Sequence, residues 1–470
     1  MKVLLISPPL ENMIATNYPS AIEEESGCSP PLGLMYIAAY AEKNTDNKIE
    51  ILDAVSEKMN YDRISETIHR KKPDVVGIQS LTFSIVDTLL LAKLVRNLSE
   101  DIKIVLGGPH VNIYPNETIC RKEVDYLVLG EGEITFTDLL QNIDNIEKLK
   151  TTQGLVFKEG DKIINTGLRD PIDDLDAIPF PARHLTNYKN YYSLLAKRNP
   201  ITTMMSSRGC PYQCTFCGRQ HLGKRFRARS AKNVVDEIEE CISMGIEEFL
   251  FYDDTFAVNR QRTLDICNEI LERGLDIGWD IRTRVDNVDK EILLKLKKAG
   301  CERINYGVES GNAEMLKLIR KGITIEQAKE AFRLTKEIGI QTLAYFIIGL
   351  PGETKLQILD TIKFAKLLNP DYAHFSVLTP YPDTPLYENS LKNGVIKEDY
   401  WRDFAKNPNK QFVPRAWEED LSRQELLDLL NYAYKDFYID IGYILQQMLK
   451  IRSLNEFKKK TKAGLRLLSL

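Results

Sequence analysis

Histidine is scarce in this chain, with five residues among 470. So few stand near any motif that no general acid–base pair presents itself. Charge of one sign is also lacking: the net charge is −4, and no basic excess points to a nucleic-acid binder. No run of about 18 uncharged apolar residues exists, which excludes a predicted membrane span. The opening "MKVLLISPPL" lacks the apolar length and cleavage site of a signal peptide, and Pro8-Pro9 halts it; it reads as a buried first strand. A G-x-G-x-x-G fingerprint is missing, so a dinucleotide site is poorly supported. There is no internal repeat and no low-complexity tract. Cysteine is limited to eight residues, and five of them (Cys28, Cys120, Cys241, Cys267, Cys301) are scattered singly. The expectation for each is a reduced, buried small hydrophobe in a cytoplasmic protein.

What is present is a long alternation of strand-like and helix-like segments. In residues 1–145 the apolar runs "KVLLIS", "KIEILDA", "DVVGIQS", "KIVLGG" and "DYLVL" alternate with helical patterns such as "PLGLMYIAAYAEK". Apolar strands between amphipathic helices predict a doubly wound, Rossmann-like α/β domain with a parallel sheet. Its small residues collect at the strand C-terminal ends, where such folds bind ligands. Residues 146–198 hold a hairpin, "GLVFKEGDKIINTG", and a Pro/Asp-rich linker. Residues 199–395 contain six further βα units, "ITTMMS" to "YAHFSVL". That number suits a partial (β/α)6 TIM barrel, since a full barrel typically needs about 250 residues. Residues 396–470 read as a small helical domain ending in the basic, amphipathic "KIRSLNEFKKKTKAGLRLL". Such a helix can lie on a membrane surface, although a solvated face of a packed helix is the plainer reading.

One stretch concentrates chemistry. "SSRGCPYQCTFCGRQH" places Cys210, Cys214 and Cys217 in the loop after the first barrel strand, where barrel active sites sit. The spacing C-x3-C-x2-C admits a zinc site completed by His221, a disulfide with one thiol left over, or an iron–sulfur cluster short of its usual fourth cysteine. Spacing alone leaves all three open.

The motifs at the following strand ends carry a resemblance. "CPYQCTFC", with Phe216 before the last cysteine, resembles the radical SAM (S-adenosylmethionine) signature C-x3-C-x-[aromatic]-C. "FYDDTF", "RTRVD", "YGVESG", "FIIGLPGET" and "TPYPDTPLY" end the next strands in order. Together with "PPLGLMYIAAYA", "LGGPHVNIYPNE" and "DYLVLGEGEITF", they resemble the subgroup with an N-terminal cobalamin-binding domain. That subgroup includes the anaerobic Mg-protoporphyrin IX monomethyl ester cyclase and the class B radical SAM methyltransferases. The resemblance covers nearly the whole chain; one departure is Asp383, where the subgroup commonly has Gly.

The resemblance implies a [4Fe-4S] cluster on Cys210, Cys214 and Cys217, whose open iron takes S-adenosylmethionine for reductive cleavage to a 5′-deoxyadenosyl radical. It implies Phe216, Asp253, Asp254, Arg282, Glu309 and Ser310 beside that cofactor. It also implies cobalamin on the N-terminal domain, against Ser80, Thr82, Gly107, Gly108, Gly130, Glu131 and Gly132. The D-x-H-x-x-G motif that supplies a cobalt-ligating histidine is absent, so cobalamin is expected without one. The expected reaction is methylation of an unactivated carbon of a small molecule or lipid, with porphyrin-cyclase-like oxidation as the alternative. An external flavodoxin- or ferredoxin-type electron donor is the expected partner.

Overall fold

The structure is a computed structural model and describes residues 1–15, 27–218 and 222–449. His221 and the basic tail from Lys450 onward lie outside these residues.

Five parallel strands form the N-terminal sheet: β1 Lys2–Ser7, β2 Lys48–Asp53, β3 Val75–Gln79, β4 Lys103–Gly107 and β5 Tyr126–Val128. The hairpin β6 Leu155–Glu159 and β7 Lys162–Asn165 adds to its edge, giving the order β2-β1-β3-β4-β5-β6-β7. The hairpin expected in the linker is thus part of the sheet: Tyr126, Leu127 and Val128 pair antiparallel with Phe157, Val156 and Leu155. One face buries Leu4, Ile6, Ile78 and Leu106 and the other Val3, Leu5, Val105 and Phe136. Both faces are covered, which is why these strands read as unbroken apolar runs.

The second sheet has six parallel strands: β8 Ile201–Met204, β11 Glu248–Phe251, β12 Gly278–Thr283, β13 Cys301–Glu309, β14 Gln341–Ile348 and β15 Tyr372–Val377. Their order is β15-β14-β13-β12-β11-β8, an open partial barrel. In β14 and β15, Ala344, Phe346, Ile348, Phe375 and Val377 pack outward into the helix-lined core. The alternate residues Leu343, Tyr345, Ile347, Tyr372, His374 and Ser376 are only half-buried. Successive side chains point to opposite faces, so these six line the barrel interior and leave it incompletely filled.

An open sheet exposes unpaired backbone at its last strand. Here the helix Arg423–Tyr438 covers that edge. Tyr434 Oη accepts from Phe375 N (3.1 Å) and donates to Phe375 O (2.8 Å); Tyr438 Oη does the same at Ala373 (3.0 and 2.8 Å). Tyr443 Oη donates to Asp371 O at 2.8 Å. The aromatic-rich "YAYKDFYIDIGYIL" therefore stands in for a missing strand. The helix Tyr400–Lys406 has a different task. Trp401 and Phe404 join Ile14, Ile85 and Tyr114 of the N-terminal domain in one apolar cluster, and Tyr400 Oη and Trp401 Nε1 both donate to Pro380 O.

Of the five scattered cysteines, Cys241, Cys267 and Cys301 are buried as expected; Cys28 is half-buried and Cys120 exposed. Among the described residues no helix is long and apolar enough to cross a membrane.

Candidate active site

The cysteine loop is closed at its base. Short strands β9 Ser207–Arg208 and β10 Arg227–Ala228 pair antiparallel on either side of it. Gly209 enters the loop at φ +82°, and a Cβ there would fall 2.3 Å from Arg225 O, so only glycine fits. In the middle, Thr215 N donates to Ile319 O (3.0 Å) and Leu386 N donates to Thr215 O (2.9 Å). Phe216 packs against a buried cluster of Met315, Ile319, Leu350, Leu378 and Trp417. Cys214 is buried, Cys210 half-buried and Cys217 exposed, and all eight cysteines are free thiols. Among the described residues no three His, Cys, Asp or Glu side chains are drawn together at metal-ligating distance. The fit to an iron–sulfur cluster rests on the donors: three soft thiols, none in a disulfide, on one anchored loop.

The loop's approach is fixed by charge. Asp253, expected beside the cofactor, instead accepts from Ser206 N (2.7 Å), Ser206 Oγ (2.5 Å) and Ser207 Oγ (2.6 Å). It is 1% exposed, and its two oxygens hold the strand that enters the loop. Asp254 is exposed, and the next long helix, Arg260–Glu272, takes its cap from Asn259. Arg208 Nη2 donates to Glu133 and its Nη1 lies 3.3 Å from Glu131 Oε2. Arg227, at the loop's other end, pairs with both oxygens of Glu131. All four side chains are at least nine-tenths buried. One carboxylate of the N-terminal domain therefore pins both ends of the cysteine loop. Burial alone would raise Glu131, but the hydrogen-bonded Arg227 and the charge of Arg208 outweigh it and hold the carboxyl below its usual range. The Glu131 carboxylate is thus held by two arginines.

A second buried network backs the first. Arg183, in the linker, donates to Glu237 Oε1 at 2.5 Å, and Arg229 donates to the other oxygen. Sequence reasoning passed over both Arg183 and Glu237, because a charge in a Pro/Asp-rich linker or on a helix gives no sign that it is fully buried.

Across the barrel mouth, Arg284 stacks on the Tyr212 ring of the cysteine loop (3.8 Å to the centroid). Burial would lower its guanidinium, yet the hydrogen-bonded Asp286, with Tyr212 and Cys214, keeps it raised. Arg284 Nη1 also donates to Lys321 O at 2.5 Å, and Lys321 Nζ donates to Glu309 Oε1 at 2.6 Å. Glu309 sits at φ +72°, where strand β13 bulges between Gly307 and Glu309. Such backbone strain in a non-glycine residue is typical of functional sites. Ser310 is fully buried, with its hydroxyl 3.1 Å from Thr361 Oγ1 and accepting from Asn312 N; it shapes the turn. Arg282 lies over the Tyr252 ring at 4.1 Å, half-buried on the barrel interior near Tyr345. Asp383 adopts φ +64°, a conformation glycine takes without strain, which gives the subgroup's usual residue a physical reason.

Away from Glu131 and Glu133, the edge of the N-terminal sheet is lined by neutral residues. Gly108 has φ +121°, and a Cβ would lie 2.8 Å from Ser80 O. Gly130, at φ +69°, faces open space apart from Leu168, while Gly132 packs on Ile37. Gly107 makes only ordinary contacts. Thr82 Oγ1 is 3.2 Å from His110 Nδ1, a buried histidine; burial lowers that imidazole to about 3. Ser80 Oγ and Asn112 Nδ2 are buried with no hydrogen-bond partner among the described residues. Two unused polar atoms beside glycine-lined backbone fit a large polar ligand, such as cobalamin, laid across this edge. Asn112, which sequence reasoning did not single out, has its Oδ1 on Gly130 N at 2.7 Å.

The two edges face each other. Phe83, after β3, meets Tyr381, after β15, edge-on at 5.7 Å, and Glu131 and Glu133, after β5, meet Arg208 and Arg227.

Comparison with known proteins agrees with this geometry. Residues 204–365 match the radical SAM superfamily and residues 21–140 match the B12 binding domain. The chain is 36% identical over 443 residues to an uncharacterized methyltransferase of Pyrococcus horikoshii, covering 93% of each. It is also 32% identical to the anaerobic magnesium-protoporphyrin IX monomethyl ester cyclase of Cereibacter sphaeroides, over 93% of this chain and 70% of that one. This chain belongs to the radical SAM superfamily, in the branch with a cobalamin-binding domain. Its cofactors are those of that branch: a [4Fe-4S] cluster, S-adenosylmethionine and cobalamin. Among solved structures it shares the fold of the cobalamin-dependent radical enzyme OxsB, with a TM-score of 0.75 at 19% identity over 99% of this chain and 72% of that one. TsrM of Kitasatospora setae, solved with cobalamin and a [4Fe-4S] cluster, gives 0.69 at 20% identity over 83% and 78%.

Proposed function

We propose that this radical SAM enzyme methylates an unactivated carbon of a small molecule or lipid. The observation that supports it best is the facing of the two edges, one carrying the cysteine loop and the other the cobalamin-fitting edge, across a barrel interior that its own side chains leave part-filled. When bound, the cofactors supply reductive cleavage of S-adenosylmethionine and a transferable methyl group. One turnover then uses two S-adenosylmethionine molecules and two electrons and returns methionine, 5′-deoxyadenosine, S-adenosylhomocysteine and the methylated product. The electrons come from a flavodoxin- or ferredoxin-type donor.

In this reading the chain's residues position and exclude. Cys210, Cys214 and Cys217 hold the cluster. Glu131, Arg208, Arg227 and Asp253 keep the loop over the N-terminal edge. Ser80 and Asn112 offer the unpartnered polar atoms to cobalamin. The substrate lies against Tyr345, Tyr372 and His374, with the cation of Arg282 on the same wall. Burial lowers His374 to about 4, so near neutral pH it is an uncharged imidazole. Closure by loops on both sides excludes water from the radical step.

The 32% identity to a porphyrin-ester cyclase supports a second reading, oxidation without methyl transfer. Anaerobic turnover with a reductant separates the two. Methyl transfer yields S-adenosylhomocysteine in step with 5′-deoxyadenosine; 5′-deoxyadenosine without it sinks the methylation proposal.

A further inference from the structure

Within the barrel, one cation has no counter-charge among the described residues. In β12, Trp279 and Ile281 pack outward into the helix-lined core. Alternation along the strand therefore turns Asp280 and Arg282 to the interior. Phe249 and Phe251 pack outward from β11 in the same way, which leaves Tyr252 inward. The half-buried Arg282 guanidinium lies over the Tyr252 ring, 4.1 Å from its centroid.

The charges around it are committed elsewhere. Asp280 is paired with Arg303, its register partner on β13. Glu309 is paired with Lys321 at 2.6 Å, and Arg284 with Asp286 at 2.8 Å. Glu248 has an unpartnered Oε2, but it pairs in register with Gly278, four residues before Arg282. That is about 13 Å along the strand. Among the described residues no carboxylate reaches Arg282 and no acceptor meets its N–H groups. Stacking on Tyr252 uses the flat face of the guanidinium, while its five N–H donors lie in its own plane.

Depth separates Arg282 from the cysteine loop. Arg284 reaches that loop at the barrel mouth, through the Tyr212 ring. Arg282 is two residues deeper, about 7 Å along the strand.

The geometry points to Arg282 as the receptor for an oxyanion, a carboxylate or phosphate, carried by the substrate into the barrel interior. This rests on the reading of that interior as the substrate site, and it narrows the substrate to a molecule with an anionic group. Two in-plane N–H donors match two oxygens of a carboxylate or phosphate. Tyr345, Tyr372 and His374 take the uncharged body, and Arg282 fixes its orientation, the usual division in a largely apolar pocket. A neutral substrate would close the site over an unmatched cation, which is costly.

The test is phenylglyoxal modification of arginines in the anaerobic holoenzyme, mapped by mass spectrometry. Arg333, exposed and ion-paired on the helix Ile325–Ile338, is the internal reference. The arms are holoenzyme alone, with saturating S-adenosylmethionine, and with S-adenosylmethionine plus sodium phosphate, acetate or chloride at equal ionic strength. Arg282 should be labelled with S-adenosylmethionine bound. Phosphate or acetate should then slow its labelling relative to Arg333 at least about fivefold, and chloride should not. The more protective anion tells phosphate from carboxylate recognition. Protection by S-adenosylmethionine alone would assign Arg282 to that cofactor and overturn the proposal. So would no labelling in any arm, equal labelling in every arm, or protection by chloride. No turnover is read, so a failure of the methylation reading in product analysis is distinguishable from a failure here.

Discussion

The two ligand-facing edges of this molecule are built from opposite materials. The barrel edge is dense in buried charge, and nearly every charge there is matched: Asp253 by two serines, Arg208 and Arg227 by Glu131 of the N-terminal domain, Glu309 by Lys321, Arg284 by Asp286. Apart from Glu131 and Glu133, which reach the barrel arginines, the edge of the N-terminal sheet is neutral, lined by glycine, serine and asparagine, and two of its buried polar atoms have no partner among the described residues. The contrast separates two kinds of work. Matched buried charges fix a backbone in one place at a high penalty for loss of either partner. Unmatched neutral donors and open glycine turns leave hydrogen-bonding capacity for something that arrives later.

The strongest way to break this comparison is Cys214→Ala. Iron content and reductive cleavage of S-adenosylmethionine should fall to background, while cobalamin absorbance is retained, because the neutral edge does not depend on the thiols. Loss of both cofactors together would show that the edges are not separable.

Next in size is the buried triad. Glu237→Ala leaves the guanidiniums of Arg183 and Arg229 buried without their carboxylate, and should destabilise the fold by about 3–5 kcal/mol in chemical denaturation. A change below about 1 kcal/mol would mean that these charges are not fixing the linker against the barrel.

A pH effect sharpens the picture at Glu353, the one carboxylate in the "GLPGET" loop. Its Oε2 accepts from Gly349 N and Leu350 N, Oε1 has no partner among the described residues, and burial raises the carboxyl to about 7. The folded state therefore binds this proton more tightly than the unfolded one. Stability is full below the unfolded value near 4.5 and falls as pH rises to about 7. Glu353→Gln should remove roughly 2–3 kcal/mol of the stability difference between acidic and mildly alkaline pH. An unchanged pH dependence in that variant would contradict it.

The smallest effect belongs to the neutral edge. Ser80→Ala deletes a hydroxyl that has no partner among the described residues. The apoprotein should unfold at the same temperature or higher, while cobalamin binds about 2–10-fold more weakly by titration. Lower apoprotein stability with unchanged cobalamin affinity would give Ser80 a purely structural role.

Much of this was readable from sequence for physical reasons. Most parallel strands were marked by an apolar run with a helical pattern after it, and C-x3-C-x-F-C stood out by spacing. What escaped was whatever depends on three-dimensional pairing. The tyrosines at 434, 438 and 443 look like ordinary aromatic helix residues, and only their approach to β15 shows that their hydroxyls replace a strand. Asp253 and Glu131 lie at strand ends, where the resemblance puts cofactor-binding residues; their partners Ser206, Ser207, Arg208 and Arg227 are distant in sequence and show only in the structure. Asn112 gave no signal, because an unsatisfied amide is defined by what surrounds it.

The central claim is that one chain joins a cluster-bearing barrel edge to a cobalamin-bearing sheet edge. Metal analysis of anaerobically purified protein, with its visible spectrum, tests this most directly. The account predicts about four irons and one cobalt per chain and a brown solution with corrinoid bands. A colourless protein holding zinc and no iron would contradict it.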